Sequence, residues 1–198
     1  GFAIELRNLS EKIANIHLSS PILSNAYYQL EDTLGKVVLD LLSHPQPEQG
    51  GFLSTHGATS AITEAIHNSI CRYREKQHNE TYNPVVLAPI TSNVVLRKAM
   101  KLTGIGIDSM VLYDLDENFQ PDKKKMENLV SKLEEDGRDI LAFAAVAGDT
   151  EHGIIQDVSR LTTAKKSARY TPAILVDAAF GWYFLTENME AVSATFSN

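Results

Sequence analysis

Three short stretches of the sequence carry residue types that could do chemistry, and each lies beside an apolar run. Asp177 follows directly on Ala173-Ile174-Leu175-Val176, with Ala178, Ala179, Phe180 and Gly181 next. A carboxylate at the end of a buried strand is costly to desolvate unless a cation meets it. It can be a helix cap or half of a structural ion pair. It can also hold the protonated ring nitrogen of a cofactor, and the small side chains of Ala178 and Ala179 would leave room for a flat ring. The second stretch is Ala147-Gly148-Asp149-Thr150-Glu151-His152-Gly153. Its two glycines flank polar residues, which suits a tight turn with free N–H groups and a hydroxyl; an ordinary strand-to-helix loop reads the same. Adjacent Glu151 and His152 diverge and no second His stands at ligand spacing, so no metal site is expected. The third is Ser54-Thr55-His56-Gly57-Ala58-Thr59-Ser60-Ala61. Small and hydroxyl residues entering a helix make an anion cradle, because unpaired N–H groups and the macrodipole both face the ligand. Plain N-capping by Thr59 or Ser60 accounts for the same residues. Gly104-Ile105-Gly106 lacks the third glycine and the following helix of a dinucleotide fingerprint.

The elements that must position these residues follow from periodicity. Helical spacing is imperfect over 2–16 and clear over 25–43, where Leu30, Leu34, Val37, Val38 and Leu41 form one stripe after Ser24-Asn25. Residues 44–51 contain two prolines and two glycines and read as a loop. From there buried-strand runs (85–88, 110–113, 140–147, 173–176) alternate with amphipathic helices (59–76, 93–103, 121–136, 157–168). That alternation predicts an α/β domain with a mostly parallel sheet. Ligands of such sheets gather beyond the carboxyl ends of the strands, which points to the loops after Leu87, Val146 and Val176. The expected division is an N-terminal helical segment at 1–50 and an α/β domain at 51–198.

Composition narrows the classes further. With 18 Lys+Arg against 25 Asp+Glu the net charge is -7, which disfavours nucleic acid as a partner. The one basic run, Lys123-Lys124-Lys125, suits the wet side of a helix. A hydrophobic content of 43% across 198 residues is enough for a core and argues against disorder. No apolar run approaches the roughly 18–20 residues of a membrane helix. Cys71 is the single cysteine and excludes an internal disulfide. With no signal-peptide pattern at the start, a soluble cytoplasmic protein is expected.

In order and spacing these motifs resemble the group II pyridoxal-phosphate (PLP) decarboxylases. The series is Gly57-Ala58-Thr59-Ser60-Ala61, Arg97-Lys98-Ala99 with Gly104, Ala147 to Gly153, and Val176-Asp177-Ala178-Ala179-Phe180-Gly181. That family includes glutamate, aromatic amino acid and tyrosine decarboxylases, and the likeness runs from about residue 25 to the chain end. It implies the aspartate-aminotransferase-like fold type I large domain, present only in part, and decarboxylation of an L-amino acid. It further implies that Asp177 keeps the PLP ring nitrogen protonated and that Ala179 packs on one ring face. Gly57, Ala58 and Thr59 would face the phosphate, and Thr150 would orient the ring substituents. A homodimer is implied as well.

Four departures accompany the likeness. Asn93 stands where the family has a ring-stacking His. Ala58 stands where the family has a second glycine. Asp149 replaces a hydroxyl residue and would bring negative charge towards a phosphate. No lysine lies between Asp177 and Asn198, whereas the family's Schiff-base Lys follows some thirty residues after the aspartate. The expectation is therefore the cofactor-domain portion of a carboxy-lyase, a fragment or one chain of a split enzyme, unable to complete turnover alone. The alternatives are a non-catalytic relative kept for binding or assembly, and an unrelated α/β nucleotide binder.

Overall fold

The computed structural model describes residues 25–42, 44, 51–76 and 83–182. The helix expected over 2–16 and most of the 44–51 loop lie outside these residues. The chain divides into two compact units, Gly1–Ser54 and Thr55–Asn198.

In the first unit α1 spans Asn25–Leu41. Its apolar stripe is not a core: Leu30 is 64% exposed and Leu34, Val37 and Leu41 are also open to solvent. Gly35 is buried in this helix, because the ring of Phe52 lies where a β-carbon would be. Glu31 accepts hydrogen bonds from the Ser54 hydroxyl and N–H at 2.6 and 2.9 Å, which hold its carboxyl below the ordinary value.

The second unit is the expected α/β layer structure. In chain order it comprises α2 (Ala58–Lys76), β1 (Pro84–Pro89), α3 (Val94–Leu102), a 3-10 turn (Ile107–Ser109), β2 (Met110–Tyr113), α4 (Lys123–Glu135), β3 (Asp139–Val146), α5 (Ser159–Ser167) and β4 (Ala173–Asp177). The four strands are all parallel in the order β2-β1-β3-β4. β1 and β3 are central and wholly buried, which is why their sequences read as continuous apolar runs; β4, at the edge, is half-buried throughout.

Helices cover both faces. Val85, Leu87, Phe143 and Ala145 pack with Met126, Val130 and Leu161 on the α4/α5 side. Val86, Ala88, Ala142 and Ala144 pack with Ile66, Ile70, Leu96 and Met100 on the α2/α3 side. Leu87, Phe143, Ile66 and Leu161 have no exposed surface, and burying each such side chain stabilises the fold by roughly 1.5–3 kcal/mol. Tyr113 reaches across β1, and its hydroxyl donates to the Ala144 carbonyl at 2.8 Å.

Caps set the helix ends. Asp122 accepts from the N–H groups of Lys124 and Lys125 at 3.0 Å, which offsets three lysines placed in the first turn of α4, against its dipole. Gly137, at φ +73°, ends that helix, with Arg138 N–H bonded to the Leu133 carbonyl. Asn93 caps α3 by accepting from Val95 N–H at 3.1 Å. No described helix is long and apolar enough to cross a membrane.

Candidate functional site

A cavity of about 500 Å³ opens at the carboxyl end of the sheet, within the second unit. This is the position the strand–helix alternation indicated. Its walls come from the start of α2, the start of α3, the end of β3, and β4 with the residues that follow it. The volume lies in the usual range for small-molecule sites, roughly 300–1,000 Å³.

Asp177 ends β4 and lines the cavity half-buried. Its Oδ1 accepts from Ala179 N–H at 3.2 Å, and no cationic side chain pairs with it among the described residues. The structural ion-pair reading thus finds no partner among the described residues, whereas the cap reading is met in part, since the bond to Ala179 N–H caps the turn that leads to Trp182. The Asp177 backbone carbonyl is tied to β3 by Ala147 N–H at 2.8 Å, which fixes the residue in the sheet.

Across the cavity, Gly57 immediately precedes α2 with φ +102°, a conformation that disfavours any residue with a β-carbon. Its carbonyl accepts from Ala61 N–H at 3.1 Å. The first N–H groups of α2 have no acceptor within the helix, so this end carries partial positive charge. Thr59 and Ser60 lie inside the first turn, not at the cap, so the N-capping expectation for them is corrected. The helix starts earlier because Gly57 supplies the entry turn.

Gly57, Ala58, Asn93, Asp177 and Ala179 are among the residues singled out in the sequence that line this one cavity. Thr150 instead lines a smaller adjoining pocket of about 70 Å³ that shares Ala58, Asn93, Asp177 and Ala179. Thr59 lines neither; its carbonyl accepts the Thr63 hydroxyl. Thr55, from the stretch read as an anion cradle, brings a hydroxyl to the main cavity; so does Ser92, which was not anticipated and whose only sequence signal is a small polar residue just before a helix. No lysine lines the cavity among the described residues.

Asp149 is only 6% exposed and its carboxylate is turned into its own loop. Oδ1 accepts from the N–H groups of Glu151 (3.0 Å) and His152 (2.7 Å), and Oδ2 accepts from that of Ile154 (3.1 Å). Burial pushes this carboxyl up, but the N–H groups of His152, Glu151 and Ile154 more than offset it, and it stays below the ordinary value. The negative charge expected here is solvated by N–H groups of its own loop, while Asp149 also lines the smaller pocket beside Thr150 and Asp177. The same loop touches the turn after β4, where the backbone of Gly148 meets that of Gly181.

The fold is, in part, the large-domain architecture of the fold type I PLP-dependent enzymes. Among solved structures, *Catharanthus roseus* tryptophan decarboxylase in complex with L-tryptophan superposes with a TM-score of 0.84 at 18% identity, over 96% of this chain and 42% of that one. *Oryza sativa* TDC with PLP and tryptamine gives 0.80 at 14% identity, over 98% and 42%. No protein-family profile matches. In sequence, the chain is 30% identical over 165 residues to a probable L-tyrosine/L-aspartate decarboxylase of *Methanocorpusculum labreanum*, covering 83% of this chain and 40% of that protein. The chain is thus a relative of the group II PLP decarboxylases, as its motifs implied, and spans about 40% of the length of that relative.

Proposed function

We propose that this chain is the cofactor-domain portion of a PLP-dependent carboxy-lyase acting on an L-amino acid, in a cytoplasmic homodimer. The observation that carries the proposal is the Asp177 carboxylate, free of any cation among the described residues and facing a cavity of about 500 Å³. A carboxylate in a partly desolvated site favours a protonated heterocycle beside it. PLP, when bound, supplies an electron sink for the pair left behind as CO2 departs.

The chain's own residues fit that group. Asp177 would accept a hydrogen bond from the ring N–H and hold that proton in place. Ala178 and Ala179 present only methyl groups, so they admit a flat ring. Gly57 leads into α2 and Ala58 begins it, where N–H groups and the helix dipole favour a phosphate, and Ser92 adds a hydroxyl. Apolar Leu96, Val146 and Leu175 would exclude water.

A second reading, a non-catalytic relative, is favoured by Asn93, whose oxygen is occupied in capping α3. Equilibrium dialysis of the chain against PLP and against pyridoxal tests whether the cofactor site exists. Binding of PLP, with pyridoxal weaker by about tenfold or more for want of the phosphate, is expected. No binding of either would sink the proposal.

A further inference from the structure

We propose that Asp149 is a positioning residue that holds Thr150 at the cofactor site; this rests on the function proposed above. Thr150 is the one residue between Asp149 and the first N–H that the Asp149 carboxylate accepts. Its backbone is therefore enclosed in a ring of hydrogen bonds from a single buried side chain. Backbone pairing completes the turn: Gly153 N–H donates to the Asp149 carbonyl at 2.9 Å, and Gly148 N–H to the Ile154 carbonyl at 2.9 Å. His152 adds its ring, with Nδ1 3.1 Å from Asp149 Oδ1, and stacks on Phe119 with ring centroids 4.7 Å apart.

The outer side of this loop is held too. Phe119 belongs to the turn after β2 and adopts φ +57°, a left-handed conformation that a bulky residue keeps only when its surroundings hold it. Gln120 in the same turn donates to the Ile155 carbonyl at 3.1 Å and accepts from Asp157 N–H at 2.7 Å. The loop is thus fixed from within by Asp149 and from outside by residues 119–120. A carboxylate can do this where a threonine hydroxyl cannot, because its two oxygens together accept three backbone N–H groups. The Asp in place of a hydroxyl residue is then a gain of preorganisation rather than a degraded phosphate contact.

The test is a double-mutant cycle read by the absorbance and induced circular dichroism of bound PLP. Asp149→Asn keeps the size but loses the charge and one acceptor, and it should weaken PLP binding about tenfold. In a Thr150→Val background the same change should cost less than about twofold, because the hydroxyl being positioned is already gone. Equal losses in both backgrounds, or no loss in either, would overturn the proposal. A cofactor-free readout separates this from the function itself. In an acid titration followed by amide NMR, the Glu151, His152 and Ile154 signals should move together, with a midpoint below 3.8, the ordinary carboxylate value. Independent movement of the three amides would overturn the positioning role whether or not PLP binds. A chain that shows the joint titration but binds no PLP would contradict the function, and with it Thr150 as a cofactor contact.

Discussion

Gly148 and Gly181 meet backbone to backbone and so bring the two loops of the candidate site into direct contact. A β-carbon on Gly148 would fall 2.7 Å from both the Cα and the N of Gly181; one on Gly181 would overlap the Ala147 carbonyl. The 147–148 side of this contact cannot yield easily, since Ala147 N–H is bonded to the Asp177 carbonyl at 2.8 Å and Gly148 N–H to that of Ile154 at 2.9 Å. Gly148 also has φ +82°. Gly148→Ala and Gly181→Ala should each destabilise the fold by about 2 kcal/mol or more in urea unfolding. Gly51→Ala, with nothing within 4 Å of the added carbon, should be close to neutral. Similar effects at all three positions would contradict the contact.

Tyr113 predicts an alkaline signature. Burial pushes its phenol well above the ordinary value of 10.0, and its hydroxyl donates to the Ala144 carbonyl. The unfolded phenol ionises near 10 while the folded one stays neutral. Its contribution to stability is therefore complete below pH 10 and is lost as the pH rises beyond it. Tyr113→Phe should cost about 1 kcal/mol at neutral pH and flatten the loss of stability above pH 10. Parallel stability curves for the two proteins would contradict this.

Gln120 makes two hydrogen bonds to the loop that follows the Thr150 turn, to the Ile155 carbonyl and from Asp157 N–H. Gln120→Ala should raise amide hydrogen exchange at Asp157 by about tenfold while leaving the β1 and β3 amides protected. Unchanged exchange at Asp157 would show that the bridge does not hold the loop.

Much of this architecture is legible in the sequence because each signal is local. The runs at 85–88 and 140–147 are continuous because β1 and β3 are buried on both faces, and Asp122 and Gly137 mark the ends of α4 by capping chemistry. What escapes is non-local or directional. No spacing rule states that Gly148 faces Gly181, or that the Asp149 carboxylate turns into its own loop. Nor does the stripe on α1 reveal that Phe52 would cover Gly35 while Leu30 and Leu34 stay exposed. Thr59, one position away from Ala58, lies off the cavity because a helix rotates each successive residue by about 100°.

The most direct measurement of the central claim is the PLP affinity of Asp177→Ala beside that of the unsubstituted chain. The Asp177 side chain is half-buried and makes a single hydrogen bond to Ala179, so its removal should leave the unfolding midpoint nearly unchanged. Affinity should fall about tenfold or more, as expected when a charge-assisted hydrogen bond to the ring nitrogen is lost. Equal affinities in two equally stable proteins would contradict the account.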